Sequence, residues 1–228
     1  MTTSSPILIP GLIPPYYVAD IDGDGHPDIV GQSQILFGKG SYQFESVSLP
    51  SFNTYVVGDF NGDGRLDIAT DSFTLFNLGK RNFQQVMAAP PINGAANFVV
   101  GDFNGDGKAD VATTLPGDPT ITIWYGLGDG TFVEGTEINP GQQVGALAVG
   151  DFNGDGRIDI AAGFMLSQQV GIFFNQGQGQ FSSSYFASGA YAVDMIATDL
   201  NRTGKPDLVI TNFGLSFRPP NVDILFHK

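Results

Sequence analysis

The chain has 228 residues, with 23 acids against 10 bases and a formal net charge of −13. The absence of cysteine excludes disulfide frameworks and zinc–thiolate sites, and the acidic balance argues against nucleic acid and anionic membrane surfaces as partners. No run of about 18 apolar residues is available to span a bilayer, whereas 19 phenylalanines with only 14% charged residues describe a chain that folds.

The opening residues, MTTSSPILIPGLIPPYY, lack the basic n-region and long apolar core of a secretory leader. A short apolar run, YYVAD, then leads into DIDGDGHPD at 20–28, which is followed by two further runs, DIV and QILFGKG, and a weaker one, SYQFESVSL. The same succession returns with DFNGDGRLD at 59–67, DFNGDGKAD at 102–110, DFNGDGRID at 151–159 and DLNRTGKPD at 199–207. Successive first aspartates stand 39, 43, 49 and 48 residues apart. A period in this range signals a repeat architecture.

The runs are short, rich in β-branched residues and separated by turn residues, so each predicts a strand. Four strands in about 45 residues match one blade of a β-propeller. Five copies therefore predict an all-β, five-bladed β-propeller of four-stranded antiparallel blades, occupying 1–228 as one domain. The fifth copy stops after its third run, and the spare apolar segment at 4–10 is expected to pair with it as the missing outer strand, closing the ring.

Each nine-residue motif gathers carboxylates that repel one another unless a cation lies between them. In 59–67, Asp59, Asn61, Asp63 and Asp67 offer side-chain oxygens and Arg65 its carbonyl, a donor set suited to calcium. An EF-hand is excluded, because that loop needs a glutamate at position 12. Here Gly31, Thr70, Thr113, Ala162 and Ile210 occupy that position.

Five copies of GDFNGDGxxD-type motifs within short-strand units make the chain resemble the FG-GAP repeats of integrin alpha-chain propellers and their VCBS-like bacterial and fungal relatives. The resemblance spans roughly 16–228. It implies a calcium ion in each loop, held by the first, third, fifth and ninth side chains and the seventh carbonyl. Carried onto this sequence, the sites are Asp20, Asp22, Asp24, His26 and Asp28; Asp59, Asn61, Asp63, Arg65 and Asp67; Asp102, Asn104, Asp106, Lys108 and Asp110; and Asp151, Asn153, Asp155, Arg157 and Asp159. The fifth, Asp199, Asn201, Thr203, Lys205 and Asp207, departs from the pattern at Thr203 and at Arg202, so it is expected to be weakest, empty or held by Arg202 or Lys205. Four or five calcium ions are thus expected. The motifs hold 15 of the 23 acids, so four bound ions leave a formal charge of −5 and five leave −3.

Repetition around a ring suits a structural metal better than a catalytic one. Only His26 and His227 are histidines, and neither has a nucleophile beside it in sequence. The reading is a non-catalytic binding module, monomeric, extracellular or secreted, and without membrane insertion. Its ligand is a glycan or a protein, because the relatives include both lectin propellers and integrin head domains. A carbohydrate-active lyase or hydrolase and a purely structural repeat domain are the alternatives. A ligand surface is expected opposite the acidic loops, where Phe164, Gln168, Gln169, Phe213, Phe217 and Arg218 fall in the connections between second and third strands, and Tyr16, Phe52 and Tyr191 between blades.

Overall fold

The computed structural model describes residues 16–188, 191–213 and 221–226. Blade one comprises β1 (Tyr17–Ala19), β2 (Asp28–Val30), β3 (Gln34–Gly38) and β4 (Phe44–Ser48). Blade two follows with β5 (Tyr55–Gly58), β6 (Asp67–Thr70), β7 (Thr74–Asn77) and β8 (Phe83–Val86), and blade three with β9 (Asn97–Gly101), β10 (Asp110–Thr114), β11 (Ile121–Gly126) and β12 (Phe132–Ile138). Blade four holds β13 (Val144–Gly150), β14 (Asp159–Phe164), β15 (Gln169–Gly177) and β16 (Gln180–Ala187), and blade five β17 (Tyr191–Thr198), β18 (Asp207–Phe213) and β19 (Asn221–Leu225).

Each strand pairs antiparallel with the next in its own sheet, and no helix occurs among the described residues. The architecture is the all-β, five-bladed propeller that the repeat spacing predicts. Blade five shows three strands among the described residues. The expected closing segment, 4–10, lies outside them.

Burial follows position in the blade. Second strands are buried along their whole length in blades two, three and four, while outer strands such as β4 and β8 are largely open to solvent. A strand sandwiched between two neighbouring blades must be apolar on both faces, which explains runs such as DIAT and DVATT rather than strict alternation. Four apolar clusters fill the four interfaces between consecutive blades.

Two recurring devices lock those interfaces. The glycine before each central motif lies against the next blade. A Cβ on Gly58 would meet Val100 Cγ1 at 2.8 Å, and one on Gly101 would meet Ile158 Cγ2 at 2.9 Å. The first aromatic of the outer strand in blades two, three and four reaches back over the preceding blade's loop. Phe132 packs edge-on against Phe60 with centroids 5.9 Å apart, and Phe83 and Phe181 join the clusters that contain Ile21 and Phe103. At the corresponding place between blades four and five lies an apolar groove of about 700 Å³, lined by Phe152, Phe174, Phe186, Leu208 and Ile224.

Candidate metal centres

Each acidic loop joins the first strand of its blade to the second, so five of them hang from equivalent β-corners. Loop two illustrates the build. Asp59 accepts the backbone N–H groups of Gly62 at 2.8 Å and Asp63 at 3.1 Å on Oδ1, and that of Gly64 at 2.7 Å on Oδ2. Asn61 Oδ1 accepts from Asp63 N at 3.0 Å, and Asp63 Oδ1 accepts from Arg65 N at 2.9 Å. Gly62 and Gly64 stand at φ of 76° and 83°, which lets the chain curl round its own carboxylates. Loops one, three and four repeat the first-position bonds almost atom for atom.

The ninth aspartate does a second job. Asp67 is fully buried, its Oδ2 accepting from Phe60 N at 3.0 Å and its Oδ1 from Asn77 N at 2.7 Å. Asp28, Asp110 and Asp159 make the equivalent pair of bonds, so each ties its loop to the third strand of its blade. Sequence reading assigned these residues only as metal ligands. One backbone partner is position two of the motif itself, and the other lies 10 to 16 residues downstream, outside the motif.

Burial pushes the carboxyls of Asp67, Asp110 and Asp159 up to about 6 from an ordinary 3.8, with the other acids of each loop adding to the rise and backbone N–H bonds opposing it. A carboxyl whose pKa is higher folded than unfolded binds a proton on folding between those values, so the stability it contributes falls as pH rises through that window. Metal-depleted protein is therefore expected to melt higher at about pH 5 than at about pH 7. With calcium the slope should reverse, because protons compete for the ligands. Melting curves of both forms across this range check the sign.

The donor set consists of oxygens, which suits a hard cation such as calcium. In loop one, oxygens of Asp20, Asp22 and Asp28 lie within 4.8 Å of one another. The backbone bonds leave lone pairs on these oxygens, since each carboxylate offers about four acceptor positions. Asp24, Asn104, Asp106, Asn153 and Asp155 hold the corresponding places, and the chain at His26, Arg65, Lys108 and Arg157 follows the same turn.

Loop five keeps the fold of the others with altered chemistry. Asp199 still accepts from Thr203 N at 3.0 Å and Gly204 N at 2.8 Å. Arg202 adopts φ of 59°, where the other loops place glycine, and Thr203 donates its hydroxyl to Asn201 Oδ1 at 2.7 Å instead of supplying a carboxylate. Neither Arg202 nor Lys205 forms an ion pair among the described residues.

The surface opposite the loops differs in part from expectation. Phe164 is 0% exposed and stacks on Tyr185, because β14 runs through it and turns the ring into the core; it is not a surface contact. Phe52 is likewise buried against Tyr55 and Phe73. Gln168 and Gln169 are exposed and Phe213 is 64% exposed, whereas Phe217 and Arg218 fall outside the described residues. Sequence reading also missed an apolar cavity of about 610 Å³ among the inner strands, lined by Tyr17, Tyr55, Val57, Val100 and Val149 with Asp59 and Asp102 at its edge.

No curated protein matches this chain. Among solved structures, two crystal structures of BBS1N in complex with ARL6DN, soaked with lead and with mercury, align at TM-scores of 0.48 and 0.47 with 11% and 12% identity, covering 86% of this chain and 76% of that one. The V. cholerae biofilm matrix protein Bap1 aligns at a TM-score of 0.42 and 18% identity over 76% of this chain and 28% of its own. The FG-GAP-like repeat is matched at residues 20–70, 102–162 and 151–210. Blade topology, motif spacing and these matched segments agree, and the chain belongs to the FG-GAP-like repeat family.

Proposed function

We propose that the chain is a non-catalytic binding module whose blades are pinned by calcium in loops one to four, working outside the cell and recognising a protein. Loops of one repeated geometry support the calcium part. In each of the four, a first-position aspartate is wrapped by three backbone N–H groups, with further oxygens at the third, fifth and ninth positions. Weak modular sites of this kind suit millimolar extracellular calcium.

Exposed apolar side chains on the opposite face support a protein as the ligand. Leu115 and Leu166 belong to the turns after the second strands of blades three and four and Phe213 ends the second strand of blade five; they are 54%, 77% and 64% exposed. Apolar groups gathered on one face of a rigid scaffold suit a protein partner. A sugar site needs an aromatic platform beside amides, and the burial of Phe164 removes one ring from that constellation. Gln168, Gln169 and Phe213 keep the glycan reading as the second one.

Side-by-side glycan and extracellular-protein arrays in millimolar calcium test the choice. The expected result is saturable binding on the protein array, lost in Leu166→Asp, and a blank glycan array. Selective binding to one sugar class would overturn it.

A further inference from the structure

Loop one differs from its neighbours in two ways that compensate each other. It carries a fourth acid, Asp22, where loops two to four have Asn61, Asn104 and Asn153. It also has His26 at the seventh position, where the others have Arg65, Lys108 and Arg157, each paired with the fifth aspartate of its own loop. Loop one has the most negative charge and no arginine or lysine of its own.

A cation arrives from the next blade. Arg81, in the turn between β7 and β8, donates from Nε to Asp22 Oδ2 at 2.7 Å, and its Nη2 lies 3.8 Å from Asp24 Oδ2. Its Nη1 bonds Glu45 Oε2 at 2.7 Å, and the guanidinium sits 4.5 Å above the ring of Phe37. The Asp22 side chain is only 7% exposed at this contact. Since Asp22 Oδ1 accepts from Asp24 N at 3.2 Å, both oxygens of the extra acid are engaged within the protein.

The turn position of Arg81 is left-handed in each of the first four blades: Arg81 and Tyr42 both stand at φ of 61°, and the matching positions of blades three and four are Gly130 and Gly179. Those glycines pack against the preceding blade, so a side chain at this position is aimed across the interface. Turn and loop come from positions 59 residues apart, and the pairing is therefore invisible to the motif alone.

We propose that Arg81 is the resident counter-ion of loop one: it holds that loop closed in metal-free protein, and a calcium ion there must share Asp22 with it. The proposal rests on the calcium reading for its second half only. Loop one then binds calcium less tightly than its four carboxylates alone would give, and its order is coupled to blade two.

Arg81→Gly is the informative variant, because glycine suits the turn. Calorimetric calcium titration should show one site tightened about tenfold with the others unchanged, the Coulomb effect of removing a unit charge about 6 Å from a divalent ion in a water-like dielectric. Amide hydrogen exchange in chelator gives a readout that needs no metal. In the wild type, residues 20–28 should exchange more slowly than 59–67, and in Arg81→Gly the difference should vanish. Equal exchange of the two loops in wild type, or a variant whose four sites are unchanged or weakened, would overturn the proposal. Failure of the calcium reading looks different: neither protein takes up the ion, and the exchange comparison alone decides the role of Arg81.

Discussion

Stripping calcium at about pH 7 is expected to lower the thermal midpoint by roughly 20 °C. A site saturated at about 100 times its dissociation constant adds about 2.7 kcal/mol. In a chain of this length each kcal/mol moves the midpoint by about 2–4 °C. Two or three strong sites and a weaker one reach the stated shift, and the 15 loop acids left uncompensated push in the same direction. Circular dichroism melts in millimolar calcium, in chelator and after readdition measure the effect. Magnesium should restore little of it, because it demands a tighter octahedral shell and gives up water reluctantly. Superimposable melts with and without chelator would end the case for a stabilising metal.

Asp110→Ala and Asp106→Ala should separate the two jobs done within one loop. Asp110 is fully buried and accepts the N–H groups of Phe103 and Gly126, both at 2.9 Å. Alanine leaves both donors without a partner in the core, at about 1–3 kcal/mol each. A loss of roughly 2–6 kcal/mol should appear already in chelator, and in calcium the lost site adds about 2.7 kcal/mol. Asp106 is an exposed residue whose Oδ1 accepts from Lys108 N at 2.9 Å. Its removal should cost less than about 1 kcal/mol in chelator, and about 2.7 kcal/mol more in calcium as one site is lost. Urea unfolding of both variants in both buffers gives four numbers. If the two variants lose equal stability in chelator, the structural role assigned to Asp110 is wrong.

The blades were legible because the acidic motif marks the same corner in every repeat. Once Asp20, Asp59, Asp102, Asp151 and Asp199 are aligned, the apolar runs on either side fall into register as strands. The ligand residues of the loops were readable for the same reason, since neighbours in sequence make most of the loop. What escaped was whatever depends on contact between repeats. Phe164 looked like a loop residue because it opens the FMLSQQ connection, yet β14 extends far enough to bury it. Gly58 and Gly101 are glycines because the next blade comes within contact distance, which the motif alone does not show. Arg81 reads as an ordinary basic turn, and only the blade interface gives it Asp22.

The first three loops are each held from one side. They are buttressed from the blade that follows: Phe132 lies over Phe60, Asn77 donates to Ile21 O at 2.7 Å, and Asn175 donates to Phe103 O at 2.8 Å. On the ribosome, where earlier segments emerge first, a loop can form its own curl as soon as it is made but acquires its buttress only when the next 40 to 50 residues have been synthesised. Maturation of the loops therefore lags translation by one blade. A chain interrupted after blade two or three would carry one unfinished loop at its trailing end, behind the completed ones.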